Sequence, residues 1–191
     1  MSNISEKTST EETSGAVISE CGKYRYHLWR RWDKDLPEMV WVMLNPSTAD
    51  ASTDDNTIRR CIGFAKRYGC GGVSVLNVFA YRATNPAELA KVDDPVGPEN
   101  EAYLYYARSV AIKTLLVCGW GKPRVEPALK PAYKQAGVIL AGLSANCFGV
   151  NNDGSPKHPL YLPYNAQLRR WRLTYPGIQA GDGNHDSGRV S

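Results

Sequence analysis

The chain has 191 residues, 42% of them hydrophobic and 22% charged, with a formal net charge of +4. A single domain of that length buries about 70% of the surface its unfolded chain exposes, so neither a disordered nor a fibrous protein is indicated. No stretch approaches the roughly 20 apolar residues of a membrane span, the first fifteen residues hold no apolar signal core, and the five cysteines are odd in number with no C-x-x-C pair. The expectation is a cytoplasmic monomer with free thiols, no metal and no cofactor.

Met1 to Gly15 is rich in Ser, Thr and Glu, and Gly177 to Ser191 in Gly, Asp and Ser; both are read as flexible tails around one domain over 16–176. Tyr24 to Arg30 alternates bulky and polar residues as a half-buried N-terminal strand does. Val40 to Leu44 is a continuous apolar run, the pattern of a strand covered on both faces, and it stops at Asn45-Pro46. A helix follows, with Ile58, Cys61, Ile62 and Ala65 on one face and Thr53 or Asp54 as its N-cap. Val73 to Phe79 is a second buried strand, parallel to the first because a helix crosses between them.

The connection Ala80 to Pro98 is long and Pro-rich, with a short helix expected around Ala87 to Lys91. A helix over Glu99 to Val110 precedes a third apolar run, Thr114 to Gly121; a helix over Pro127 to Gln135 precedes a fourth, Val138 to Leu143. Strands alternating with helices predict a three-layer α/β/α sandwich with a central, mainly parallel four-stranded sheet plus the N-terminal strand.

In such sheets, ligands bind beyond the carboxyl ends of the strands. Asn45-Pro46-Ser47, Asn77, Gly119-Trp120-Gly121 and Lys157-His158-Pro159 all fall there. Each has a plain structural reading as well, since Asn-Pro steps make turns and a strand-end Asn caps a loop. Asp50, Asp54 and Asp55 read either as catalytic carboxylates or as acids at a helix start. Clustered cations at Arg30-Arg31, Arg59-Arg60, Lys66-Arg67 and Arg169-Arg170-Trp171-Arg172 lean toward a polyanionic partner, or equally toward a solvated surface.

Taken in order, Met43-Leu44-Asn45-Pro46, Val75-Leu76-Asn77, Val117-Cys118-Gly119-Trp120-Gly121 and Lys157-His158-Pro159-Leu160 resemble the motifs of the uracil-DNA glycosylase superfamily over residues 40–165. Met43 to Asp50 and Lys157 to Pro163 also resemble a bacterial and phage family, a domain of unknown function, over 20–172. The superfamily resemblance implies a uracil-DNA-glycosylase-like fold and a monofunctional DNA glycosylase, an enzyme that hydrolyses an N-glycosidic bond after flipping the base out of the stack. It implies that Asn45 positions the water, with Asp50 or Asp54 supplying a base, and that His158 donates to the leaving base. Asn77 would read the base, with Pro46, Phe79 and Trp120 around it. Leu160 and Tyr161 would wedge into the DNA, while Ser47, Lys157 and Arg59 hold phosphates.

Ser47 stands where mismatch-type glycosylases have Gly, and Leu160 where Ser is usual. These departures imply a modified or bulky base, including hypermodified phage pyrimidines, rather than uracil, and with it a role in phage defence or DNA modification. Two other classes fit the same residues: a non-catalytic nucleic-acid or nucleotide binder, and a hydrolase of free nucleosides or a small metabolite.

Overall fold

A computed structural model describes residues 13–111, 113–122, 127–140 and 145–171. The strands are β1 (Thr13–Ile18), β2 (Arg25–Arg31), β3 (Glu38–Met43), β4 (Gly72–Asn77), β5 (Leu115–Cys118), β6 (Ala145–Cys147) and β7 (Arg169–Trp171). The α-helices are α1 (Asn56–Arg67), α2 (Asn100–Val110) and α3 (Lys130–Leu140), and short 3-10 turns lie at Pro86–Lys91, Pro127–Leu129 and Pro159–Tyr161.

All seven strands form one sheet in the order β1-β2-β4-β3-β5-β6-β7. β4, β3, β5 and β6 are mutually parallel, while β2 joins β4, β1 joins β2 and β7 joins β6 antiparallel. The α/β class therefore stands, but the expected four-stranded sheet is corrected to seven strands of mixed direction.

Alternation along each strand divides the core in two. Val40, Val42, Leu44, Leu76 and Leu116 pack with Leu104 and Ala107 of α2 and Ala136, Ile139 and Leu140 of α3. On the other face Met39, Trp41, Met43, Val73, Val75 and Val117 pack with Ile58, Cys61, Phe64 and Ala65 of α1. Helices on both faces are why the central strands read as unbroken apolar runs.

Three expectations change. The fourth strand is not Val138–Leu143: residues 138–140 end α3, and 141–143 lie outside the described residues. Ala136, Ile139 and Leu140 are buried while Val138 is 52% exposed, a helical period that a short apolar run conceals. Its place in the sheet is taken by the three residues of β6. β1 begins at Thr13, inside the stretch read as a tail, and Arg169 to Trp171, read as a basic cluster, forms the edge strand β7.

The long connection after β4 is tied down rather than open. Asn100, fully buried, donates to the carbonyls of Asn77 (3.0 Å) and Val78 (2.9 Å), and Leu89 is buried in the α2–α3 cluster.

Candidate functional site

The segment from Asn45 to Asp55 leaves β3 and returns to α1, and its shape is set mainly by β2. Arg25 donates from Nη1 to the Ala49 carbonyl (2.8 Å). Arg30 donates from Nη2 to the Asp50 carbonyl (2.7 Å) and from Nε to Asp54 Oδ1 (2.9 Å). Both arginines are buried, so two cations lie beneath the segment rather than on the surface. The backbone N–H groups of Ser52 (2.9 Å) and Thr53 (2.8 Å) point at Asp50 Oδ1, and these bonds hold its carboxyl below the usual range. Asp55, rather than Thr53 or Asp54, caps α1, accepting from Ile58 N at 2.9 Å.

Asn45 is fixed by its nitrogen. Nδ2 donates to the carbonyls of Pro46 (3.0 Å) and Ala83 (2.7 Å), and the Ala83 N–H returns to Pro46 O (2.9 Å). Two carbonyl partners require the NH₂ group there, which leaves Oδ1 with no partner among the described residues.

Asn77 ends β4 opposite Met43 of β3. Alternation turns its side chain to the α1 face, the side of Val75 and Met43. It is 1% exposed, and neither Oδ1 nor Nδ2 has a hydrogen-bond partner among the described residues. An unsatisfied buried amide costs on the order of 1–3 kcal/mol, so an Asn at this position works against stability.

β5 brings the third piece through its glycines. At Gly119 a Cβ would stand 2.8 Å from the Trp41 ring, and at Gly121, with φ +80°, it would stand 3.3 Å from His158 Cβ. The two glycines that flank Trp120 thus admit Trp41 and His158 to the strand end.

His158 caps the turn Pro159–Tyr161 by accepting the Leu160 N–H at Nδ1 (3.3 Å). A neutral ring with Nδ1 accepting carries its proton on Nε2. Burial pushes the His158 pKa down to about 4, opposed by the Asp55 carboxylate, so the ring is neutral at pH 7. Arg60 of α1 anchors this turn: its guanidinium donates to the carbonyls of Pro159 (3.3 Å) and Leu162 and lies 3.7 Å over the Tyr164 ring. Pro159 and Leu162 are buried, whereas Leu160 (41%) and Tyr161 (83%) project outward.

These contacts put Asn45, Asn77, Gly121 and His158 at neighbouring strand ends. Other expected residues go elsewhere. Phe79 and Trp120 sit in the α2–α3 cluster, with Trp120 edge-on to Trp171 and Tyr133; Trp120 continues the alternation of Leu116 and Cys118, whereas Phe79 lies beyond the end of β4, where consecutive Val78 and Phe79 both join that cluster. Asp50 and Asp54 are occupied, one in its own turn and one by Arg30. Arg59 is folded onto the Asp54 carbonyl (2.6 Å) and Asn56 Oδ1 (3.0 Å). Pro46 is buried, Ser47 half-buried and Lys157 exposed.

A family model described as Protein of unknown function (DUF1643) matches residues 25–160, from the first residue of β2 to the middle of the His158 turn. The chain belongs to this family. No curated protein and no solved structure matches it. Within this DUF1643 domain the match takes in the Asn45–Asp55 segment, Asn77, Gly121 and His158, and stops one residue short of Tyr161.

Sequence reasoning missed Arg25 and read Arg30 and Arg60 only as clustered surface cations. Each donates to backbone carbonyls that are distant in sequence, and carbonyls leave no mark on the residue string. Among the described residues no group of three or more His, Cys, Asp or Glu side chains converges as a metal site, and no helix is long and apolar enough to cross a membrane. A cavity of about 660 Å³ opens on the α2 side between His27, Pro98, Glu99, Tyr103 and Tyr106, none of them an expected site residue.

Proposed function

We propose that this DUF1643 protein hydrolyses the N-glycosidic bond of a modified base in DNA, leaving an abasic site. The observation that carries the reading is Asn77: a buried amide with both polar atoms unpartnered, at the strand end next to those that carry Asn45 and lead to a neutral His158. Such an amide matches the donor-and-acceptor edge of a base. Asn45 Oδ1 orients a water toward C1′. As the C1′–N bond breaks, its electron pair leaves with the base, and the water oxygen bonds to C1′ of the oxocarbenium-like sugar. His158 Nε2–H donates a hydrogen bond to the developing negative charge without giving up its proton. The water's surplus proton passes to solvent and the base takes one up. Asn45 accepts no proton, which suits a base that is already a fair leaving group.

Leu160 and Tyr161 are exposed as a wedge into the base stack requires. Incubating the protein with natural phage DNAs and with oligonucleotides carrying modified pyrimidines tests the reading. Free base and alkali-labile sites are expected. Binding without release over the whole panel would establish the non-catalytic module instead.

One observation favours a second reading, hydrolysis of free nucleosides. Arg30, Arg59, Arg60 and Arg67 all donate to carbonyls within the domain, which leaves fewer cations for phosphates than the sequence suggests. Release from DNA that weakens steeply with salt supports the DNA substrate; nucleoside cleavage unaffected by competing DNA supports the other.

A further inference from the structure

The cavity on the α2 side has no part in the chemistry described so far. Glu99, Ala102, Tyr103 and Tyr106 recur at helical spacing, so α2 and the residue before it present them as one stripe, and with His27 and Pro98 they line about 660 Å³. The facing wall comes from an irregularity in β2. Its register with β1 passes from Val17 opposite His27 to Ile18 opposite Arg25, which makes Tyr26 an extra residue. Tyr26 stacks on Tyr103 (5.3 Å, 3°), and the His27 ring lies 6.4 Å from Tyr103 and 5.8 Å from Tyr106. Two consecutive residues of one strand thus meet the same helix.

His27 is held by a relay across three strands. Ser74 of β4, 1% exposed, donates its one hydroxyl proton to Glu38 Oε1 of β3 (3.2 Å), so toward His27 Nε2, at 2.7 Å, its oxygen is the acceptor. Burial, and then the Arg25 guanidinium, hold the pKa of the ring down to about 4, so His27 is neutral at pH 7 with its proton on Nε2. Nδ1 keeps its lone pair and has no hydrogen-bond partner among the described residues. Glu99 stands at the N-cap position of α2 without a capping bond, and its carboxylate forms no ion pair among the described residues. Arg31, at the far end of the relay, lies 3.9 Å from Glu38 and donates to the carbonyls of Lys34 and Leu36. The cavity wall therefore offers a neutral acceptor, a carboxylate and two tyrosine rings, and no cation.

We infer that this cavity binds a primary alkylammonium ion, with His27 Nδ1 and the Glu99 carboxylate accepting its N–H groups and the rings of Tyr103 and Tyr106 facing its charge. Tyrosine faces attract a cation, and the charge-assisted bond to Glu99 adds to that attraction. An anion would meet the Glu99 carboxylate with no cation to offset it. The volume is that of small-molecule sites, which leaves room for the body that carries the ammonium. The site shares no residue with Asn45, Asn77 and His158, so it stands or falls apart from the glycosylase reading.

Calorimetric titration of the full chain with hexylammonium, hexyltrimethylammonium and hexanol tests this, with thermal unfolding of each variant and nitrogen NMR of the His27 ring. Hexylammonium is expected to bind about 10-fold more tightly than hexanol, with the quaternary ion between them because it has charge but no N–H. Glu99→Gln, a change at an exposed side chain, should weaken hexylammonium by about 10-fold and leave hexanol unchanged. His27→Phe keeps an aromatic wall but removes the acceptor, so it should abolish the preference for the primary over the quaternary ion. Should that variant fail to fold, the wild-type NMR decides: Nε2–H with an Nδ1 signal that moves on adding hexylammonium supports the site, and an Nδ1–H ring overturns it. Hexanol binding as tightly as hexylammonium, a Glu99→Gln variant with wild-type affinity and melting temperature, or no saturable binding of either ion below about 10 mM would each overturn it as well.

Discussion

The two faces of the sheet end differently at the same edge. On the α2–α3 side Leu44, Leu76, Val78, Phe79 and Trp120 close over one another as an apolar cluster. On the α1 side the same strand ends supply Asn77 and Arg25, with unpartnered buried atoms beneath a tightly bonded segment. Burial of aliphatic and phenyl groups stabilises the first face, where Trp120 Nε1 is the one unpartnered atom of those five side chains among the described residues, whereas Asn77 leaves both atoms of its amide unpartnered and gives stability up. A fold retains such a face where a ligand supplies the missing partners.

That contrast is open to attack from both sides. His158→Ala should cut base release by about 10²–10³-fold with little change in melting temperature, since the loss falls on a hydrogen bond to developing charge rather than on packing; an unfolded variant would instead make the His-Pro turn structural. Phe79→Ala should cost about 3–5 kcal/mol in denaturant unfolding, while Phe79→Leu keeps most of the activity. A Phe79→Leu variant that is stable yet inactive would bring Phe79 back to the base. Arg30→Met should cost about 2–3 kcal/mol by freeing the Asp50 carbonyl and Asp54, and should loosen the Asn45 segment. Hydrogen exchange at Ser52 and Thr53 would report that loosening.

The weakest effect per step is that of pH. His27 and His158 are both held down to about 4 by burial, against about 6.5 in the unfolded chain. Between those values the unfolded state binds more protons. Stability should therefore be level above about pH 6.5 and fall as the pH drops toward 4, by at most about 1.4 kcal/mol per unit for each histidine. Urea midpoints at pH 7.5, 6 and 5 check this, and His27→Gln should remove about half of the slope.

Two kinds of information separate here. Val40–Leu44 and Val73–Phe79 were legible as strands because helices on both faces demand unbroken apolar runs, and α1 because its buried residues recur at helical spacing. Asn45 and Asn77 stood out because a polar residue at the end of a strand breaks an apolar pattern abruptly, and His158 only through its His-Pro step. β6 was not legible, since Ala145–Cys147 has too few residues to show a period.

By itself the sequence determined which runs are buried and which polar residues stand at their ends, because burial and alternation are local properties of the string. Only the tertiary structure decided which face each of those residues takes and what lies against it. A bulge at Tyr26 turns that ring onto Tyr103 of α2, the loss of strand alternation beyond Asn77 lets both Val78 and Phe79 join the α2–α3 cluster, and arginines that read as surface charge are spent on carbonyls 20 to 99 residues away. Those outcomes depend on register and long-range hydrogen bonds, which exist only once the strands have paired.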